Sequence, residues 1–90
     1  MSSFREVIHS LRFDAELEAL ESDPRRADQA LHALTWALAR HPERGFPVPG
    51  TSFSIWPVYL RGLEYIVYYR YTPTWVELLS LRASDEDMPS

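Results

Sequence analysis

The apolar positions change period twice along this chain of 90 residues. "FREVIH", residues 4–9, alternates around Val7 and Ile8 and predicts a short strand. From Leu11 the spacing becomes helical. Phe13, Leu17 and Leu20 fall at i, i+4 and i+7, while Asp14, Glu16, Glu18 and Glu21 mostly turn away. Ser10 stands where an N-cap belongs, and "SDP" places the helix end near Glu21. Asp23 followed by Pro24 predicts the next start, because an acceptor side chain precedes a residue whose missing N–H costs nothing at the first helical position. Ala27, Ala30, Leu31, Leu34 and Leu38 then form one stripe, and Trp36 lies off it, at the edge of the core or partly exposed. Pro42 disfavours helical angles at His41, so "HPERGFPVPG", residues 41–50, reads as a stiff irregular connection.

Beyond Gly50 the residues favour strands: "SFSIWPVYL", "YIVYYRY" and "WVELLSLR". Arg61 and Gly62 suit the first hairpin turn, and Pro73 with Thr74 the second. If Thr72 opposes Trp75, then Arg70 faces Glu77, Tyr68 faces Leu79 and Ile66 faces Leu81. The expected fold class is α+β: a short N-terminal strand, an antiparallel helical hairpin and a three-stranded antiparallel meander, with the helices on one sheet face. Ile66, Tyr68, Leu79 and Leu81 are the expected core set. Tyr65, Tyr69, Tyr71, Ser80 and Arg82, with Val67, Val76 and Leu78 between them, are expected to line the open side. An aromatic patch of that kind marks an interaction site. The domain is expected over residues 1–82, with "ASDEDMPS", residues 83–90, as an acidic, flexible, solvated tail.

Composition narrows the function classes. A net charge of −4 argues against binding nucleic acid through general electrostatics. All nine cations are arginine, which fits a genome rich in G and C better than dedicated phosphate recognition. The absence of cysteine excludes disulfides and thiolate zinc sites. No cofactor and no metal site is expected. Neither a secretory h-region nor an apolar run of spanning length is present, so the expected location is cytoplasmic, away from membranes.

The order "LRFDAELEAL", "LARHPERGFPVPGTSFSIWPV" and "LEYIVYYRYTPTWVELLSL" resembles the RelE/ParE superfamily of bacterial type II toxins, over residues 4–82. The resemblance implies a small antitoxin partner that wraps the toxin. It also implies a target, DNA gyrase for the ParE-like branch or the ribosome for the RelE-like branch, which cuts messenger RNA there. Arg82, Tyr65 and Tyr69 are the catalytic candidates, and Arg61, Tyr65, Tyr69, Tyr71, Ser80 and Arg82 the candidate binding surface. The arginine that RNA-cutting members carry after a tyrosine at the start of the third strand is missing, since Ile66 follows Tyr65. After the last strand only Arg82 remains of the usual basic residues.

Cleaving RNA through a 2′-hydroxyl needs a base, an acid and positive charge facing the phosphate. Tyrosine, with an ordinary pKa of about 10, is a poor base at neutral pH. No histidine, glutamate or lysine falls on the expected open face, and His9, His32 and His41 read as surface or capping residues. A ParE-like or otherwise non-nucleolytic toxin-like component is the preferred expectation. The alternatives are a non-toxic binding module or homodimer that uses the aromatic sheet face, and a RelE-like mRNA interferase.

Overall fold

The computed structural model describes residues 4–84. Strand β1 (Glu6–His9) leads into helices α1 (Leu11–Leu20) and α2 (Pro24–Arg40), followed by a 3-10 turn (Pro42–Arg44). Strands β2 (Phe46–Pro47), β3 (Ser54–Leu60), β4 (Leu63–Tyr71) and β5 (Trp75–Ala83) complete the sheet. The local signals act as the sequence predicts. Ser10 accepts from the Phe13 N–H at 3.0 Å, and Asp23 accepts from the Arg25 N–H at 3.0 Å with Pro24 opening α2. Arg61 and Gly62 both take positive φ, 55° and 79°, the handedness that a two-residue hairpin turn requires.

The meander is part of a five-stranded sheet in the order β1-β5-β4-β3-β2, with both helices packed on one face. β1 runs parallel to β5, from Glu6 beside Trp75 to His9 beside Leu78. Where β1 ends, side chains satisfy the continuing edge of β5. The Ser10 hydroxyl donates to the Leu79 carbonyl at 2.9 Å, and the Leu81 N–H donates to Glu16 Oε1 at 3.0 Å. α1 thereby covers an edge that would otherwise be open to pairing.

The second hairpin starts in the expected register: the Thr72 N–H bonds the Trp75 carbonyl at 2.9 Å, and Arg70 opposes Glu77. A one-residue irregularity between Tyr68 and Tyr69 then shifts the pairing, so Tyr68 opposes Ser80 and Ile66 opposes Arg82, in place of Leu79 and Leu81. Leu79 is the extra residue of the bulge.

The assignment of sheet faces needs correction. Val67, Tyr69, Val76 and Leu78 are each 0% exposed and meet Phe13, Leu17, Leu34 and Leu38 of the helices. Tyr65 packs against the same cluster, and of the expected core set only Leu81 is buried. Charge supplies the reason. The row of Ile66 and Tyr68 also contains Glu64, Arg70, Glu77 and Arg82, and removing an ion from water costs several kcal/mol even after relaxation. The other row, with Trp56, Val58, Leu60, Val67 and Leu81, carries no charge, and each fully buried side chain there contributes about 1.5–3 kcal/mol. Residues 85–90 of the expected acidic tail lie outside the described residues, and Ala83 belongs to β5.

Candidate functional site

The open face of the sheet is built from β3, β4 and β5 and bordered by α1. There Arg12, Phe53, Tyr68, Leu79, Ser80 and Arg82 line a shallow groove of about 380 Å³. Arg12 projects from the first turn of α1, Phe53 precedes β3, and the bulge brings Ser80 beside Tyr68. Ser80 is buried, and its hydroxyl is satisfied there by donating to Glu16 at 2.9 Å. Glu77 and Glu64 lie on this face, where no glutamate was expected. Glu77 is paired with Arg70 at 2.8 Å, and Glu64 accepts from the Tyr59 hydroxyl at 3.0 Å and from Ser84 at 2.9 Å. The bond from the Tyr59 hydroxyl to Glu64, before the charge of Glu64, holds the Tyr59 phenol above its ordinary pKa.

The residues expected to form one working face are scattered. Arg61 sits at the exposed hairpin turn, its Nε 3.8 Å from the buried carboxylate of Glu21. Tyr65 faces the helices. Tyr69 lies in the core, where its hydroxyl donates to the Pro42 carbonyl and ties the 3-10 turn to the sheet. Burial, and then the neighbouring Tyr71, push the Tyr69 phenol up to about 12, so it stays protonated at neutral pH. Tyr71 stands at the rim, stacked on Tyr69 with centroids 6.1 Å apart and with the Arg5 guanidinium 5.8 Å from its ring. Only Ser80 and Arg82 come together in the open groove. Arg12, Phe53 and Tyr68 join them there, and no spacing in the sequence connects those three to the end of β5.

A second depression lies on the helical side. Leu17, Ala30, Leu31, Leu34, Trp56, Val58 and Leu60 are among the residues lining an apolar groove of about 360 Å³ between α2 and β3. β2 pairs only with Ser54 and Ile55, so the rest of β3 has no strand on its outer side. Pro57 sits in that stretch, as proline does in edge strands. The histidines lie away from both grooves: His9 bonds Asp14 at 2.5 Å at the start of α1, and His41 caps α2 with Glu43 3.5 Å away. Among the described residues, no group of three His, Cys, Asp or Glu could hold a metal ion, and no helix is long and apolar enough to cross a membrane.

No protein-family model and no curated protein matches the sequence. Solved structures do match. The toxin–antitoxin complex RelBE2 from Mycobacterium tuberculosis contains a chain with 22% identity and a TM-score of 0.70, over 92% of this chain and 94% of that one. A chain of the chromosomal ParDE toxin–antitoxin system from P. aeruginosa has 14% identity and a TM-score of 0.63, over 91% and 98%. YafQ from E. coli has 10% identity and a TM-score of 0.57, over 94% and 99%. At these identities the likeness speaks to architecture: the chain has the RelE/ParE toxin fold.

Proposed function

We propose that this chain is the toxin-like component of a two-protein toxin–antitoxin pair and acts without cleaving RNA, in the manner of the ParE-like branch. The uncovered apolar groove between α2 and the outer edge of β3 carries the reading. A domain of this size gains nothing from leaving Leu31, Trp56 and Val58 only partly covered, and an antitoxin segment laid there would bury them. The neighbouring folds support it, since two of them come from toxin–antitoxin systems. The chemistry of the open face supports the non-nucleolytic branch. Glu77 and Glu64 are held in hydrogen bonds outside the Arg12–Arg82 groove, Glu16 at its border is occupied by the Ser80 hydroxyl and the Leu81 N–H, and Tyr69 is a buried structural donor.

Arg82 beside Tyr68 favours the RNA-cutting reading as the second choice, because a cation and a phenol do share one groove. The binding-module alternative based on Tyr65, Tyr69 and Tyr71 loses the surface it relied on, as Tyr69 is fully buried and Tyr65 packs on the core. Induced expression in bacteria tests the proposal. Growth arrest with an SOS response and intact translation is the expected result. Co-expression of the adjacent small reading frame should relieve arrest, and Leu31→Glu should abolish the relief while arrest persists. Free growth in the absence of any partner would refute a toxin-like role, and messenger RNA cleavage in a translation extract, lost in Arg82→Gln, would favour the second reading.

A further inference from the structure

The apolar groove between α2 and β3 opens at one end into a second depression, of about 440 Å³, that shares Ala30, Tyr59 and Leu60 with it. Arg26 and Gln29 of α2 and Arg61 of the β3–β4 turn complete that end. The channel thus has an apolar floor and a cationic mouth. Arg26 Nε lies 3.8 Å from Asp23 Oδ2 and Arg61 Nε 3.8 Å from Glu21 Oε2, beyond hydrogen-bond range, and the two arginine side chains are 60% and 59% exposed. The acids themselves serve the backbone: Glu21 accepts from the Asp23 N–H at 3.1 Å, and Asp23 from the Arg25 N–H at 3.0 Å. Both guanidiniums therefore turn donors to water in the fork geometry that suits a carboxylate.

The main chain of β3 gives a docked segment little to hold. Leu60 and Leu63 flank the two-residue turn, and a pair in that position exchanges both hydrogen bonds. Alternation then points the backbone groups of Pro57 and Tyr59 outward, past the end of β2, which pairs only with Ser54 and Ile55. Proline has no N–H, so Tyr59 supplies the one outward donor of this stretch. Side chains must do the rest. We propose that the segment occupying this groove is apolar along its length and acidic at the end that meets Arg26 and Arg61, so that the two arginines set the direction in which it lies. The inference rests on the reading that a partner segment fills the groove, and it names the chemistry of that partner.

Selection of random peptides displayed on phage against the full chain tests it. Peptides are kept if, added to the ¹⁵N-labelled chain, they shift the Trp56 indole N–H signal and the amides of Ala30 and Leu31. Those peptides should carry Asp or Glu at one end of an apolar run. Replacing that acid by its amide should weaken binding roughly three- to thirtyfold, the effect of losing one or two exposed pairs with arginine. Arg26→Gln with Arg61→Gln in the chain should cost as much, and the two losses should not add. The peptide change leaves the fold untouched, so the result does not depend on how well the arginine variant folds. Groove-binding peptides without an acid, or a loss below about threefold on amide replacement, would overturn the anchor while leaving an occupied groove. If no selected peptide moved the groove signals, the groove would fail as a docking site, and the anchor with it. Sedimentation of the chain alone as a dimer, with the same signals moving as concentration rises, would give the groove to a second copy and overturn the inference too.

Discussion

Gly45→Ala separates a steric cost from a conformational one. Gly45 lies at φ −74° and ψ −175°, extended backbone that any residue adopts. On those grounds alone, alanine would stabilise the fold by about 0.4–1 kcal/mol through a less free unfolded chain. The surroundings reverse the sign. A methyl group there would overlap the Tyr69 hydroxyl, come within 2.8 Å of the Ile55 carbonyl oxygen and lie 3.0 Å from Tyr69 Cζ. Neither neighbour is the loose end of a flexible side chain: one is sheet backbone, and the other is the largest side chain of the core. Overpacking costs about 1–3 kcal/mol, and a Tyr69 hydroxyl displaced from the Pro42 carbonyl adds about 1–3 kcal/mol.

Set against the entropic gain, the net expectation is about 1–5 kcal/mol of destabilisation, with the melting temperature lower by roughly 4–8 °C for each kcal/mol lost in a domain of this size. Urea unfolding followed by far-ultraviolet circular dichroism measures it. Tyr69→Phe removes the overlapping oxygen but leaves the Ile55 approach, so Gly45→Ala should cost at least about 1 kcal/mol less in the Tyr69→Phe background. A neutral or stabilising Gly45→Ala, or strict additivity in that cycle, would refute the close approach as the cause.

Tyr69 also sets an alkaline limit. Its pKa is raised from 10.0 to about 12 in the folded chain, so its contribution is complete below pH 10 and lost as pH rises toward 12. Up to about 2.7 kcal/mol is at stake, and Tyr69→Phe should lack that slope; matching urea midpoints for both chains across this range would count against it. Glu16→Ala removes the acceptor for Ser80 and the Leu81 N–H, with an expected loss of about 1–3 kcal/mol in the same unfolding assay, whereas Glu16→Gln keeps an acceptor and loses less. Ser10→Ala deletes both a cap and a bond to Leu79 and should cost about 1–2 kcal/mol by thermal melting. Arg70→Ala opens an exposed pair with Glu77 and should change stability by less than about 1 kcal/mol; a larger loss would show that the pair does more than its exposure suggests.

The elements themselves were legible because their signals are local. Ser10, Asp23 with Pro24, and Arg61 with Gly62 each act through the backbone of their immediate neighbours. The pairing of Thr72 with Trp75 and Arg70 with Glu77 follows from a short turn, which leaves little freedom in the first rungs of a hairpin. The candidate site was read less well. Ser80 and Arg82 do stand together, but Tyr69 belongs to the core and Tyr65 packs against it, while Tyr68, Phe53 and Arg12 reach the same groove from elements that no sequence spacing links to β5. Both rows of β4 contain aromatic and branched residues, so alternation alone does not tell inside from outside.

What the amino-acid order determined by itself was the order of both helices, four of the five strands and their turns, and with it the α+β class, because capping, proline geometry and hydrophobic period act over a few residues; β2, two residues inside the expected irregular connection, exists only by pairing with Ser54 and Ile55. Which flank of the sheet meets the helices was decided only by the assembled structure. The extra residue at Leu79 and the cost of burying Glu64, Arg70, Glu77 and Arg82 are properties of paired strands, and they turn Tyr69 inward while leaving Arg82 facing water.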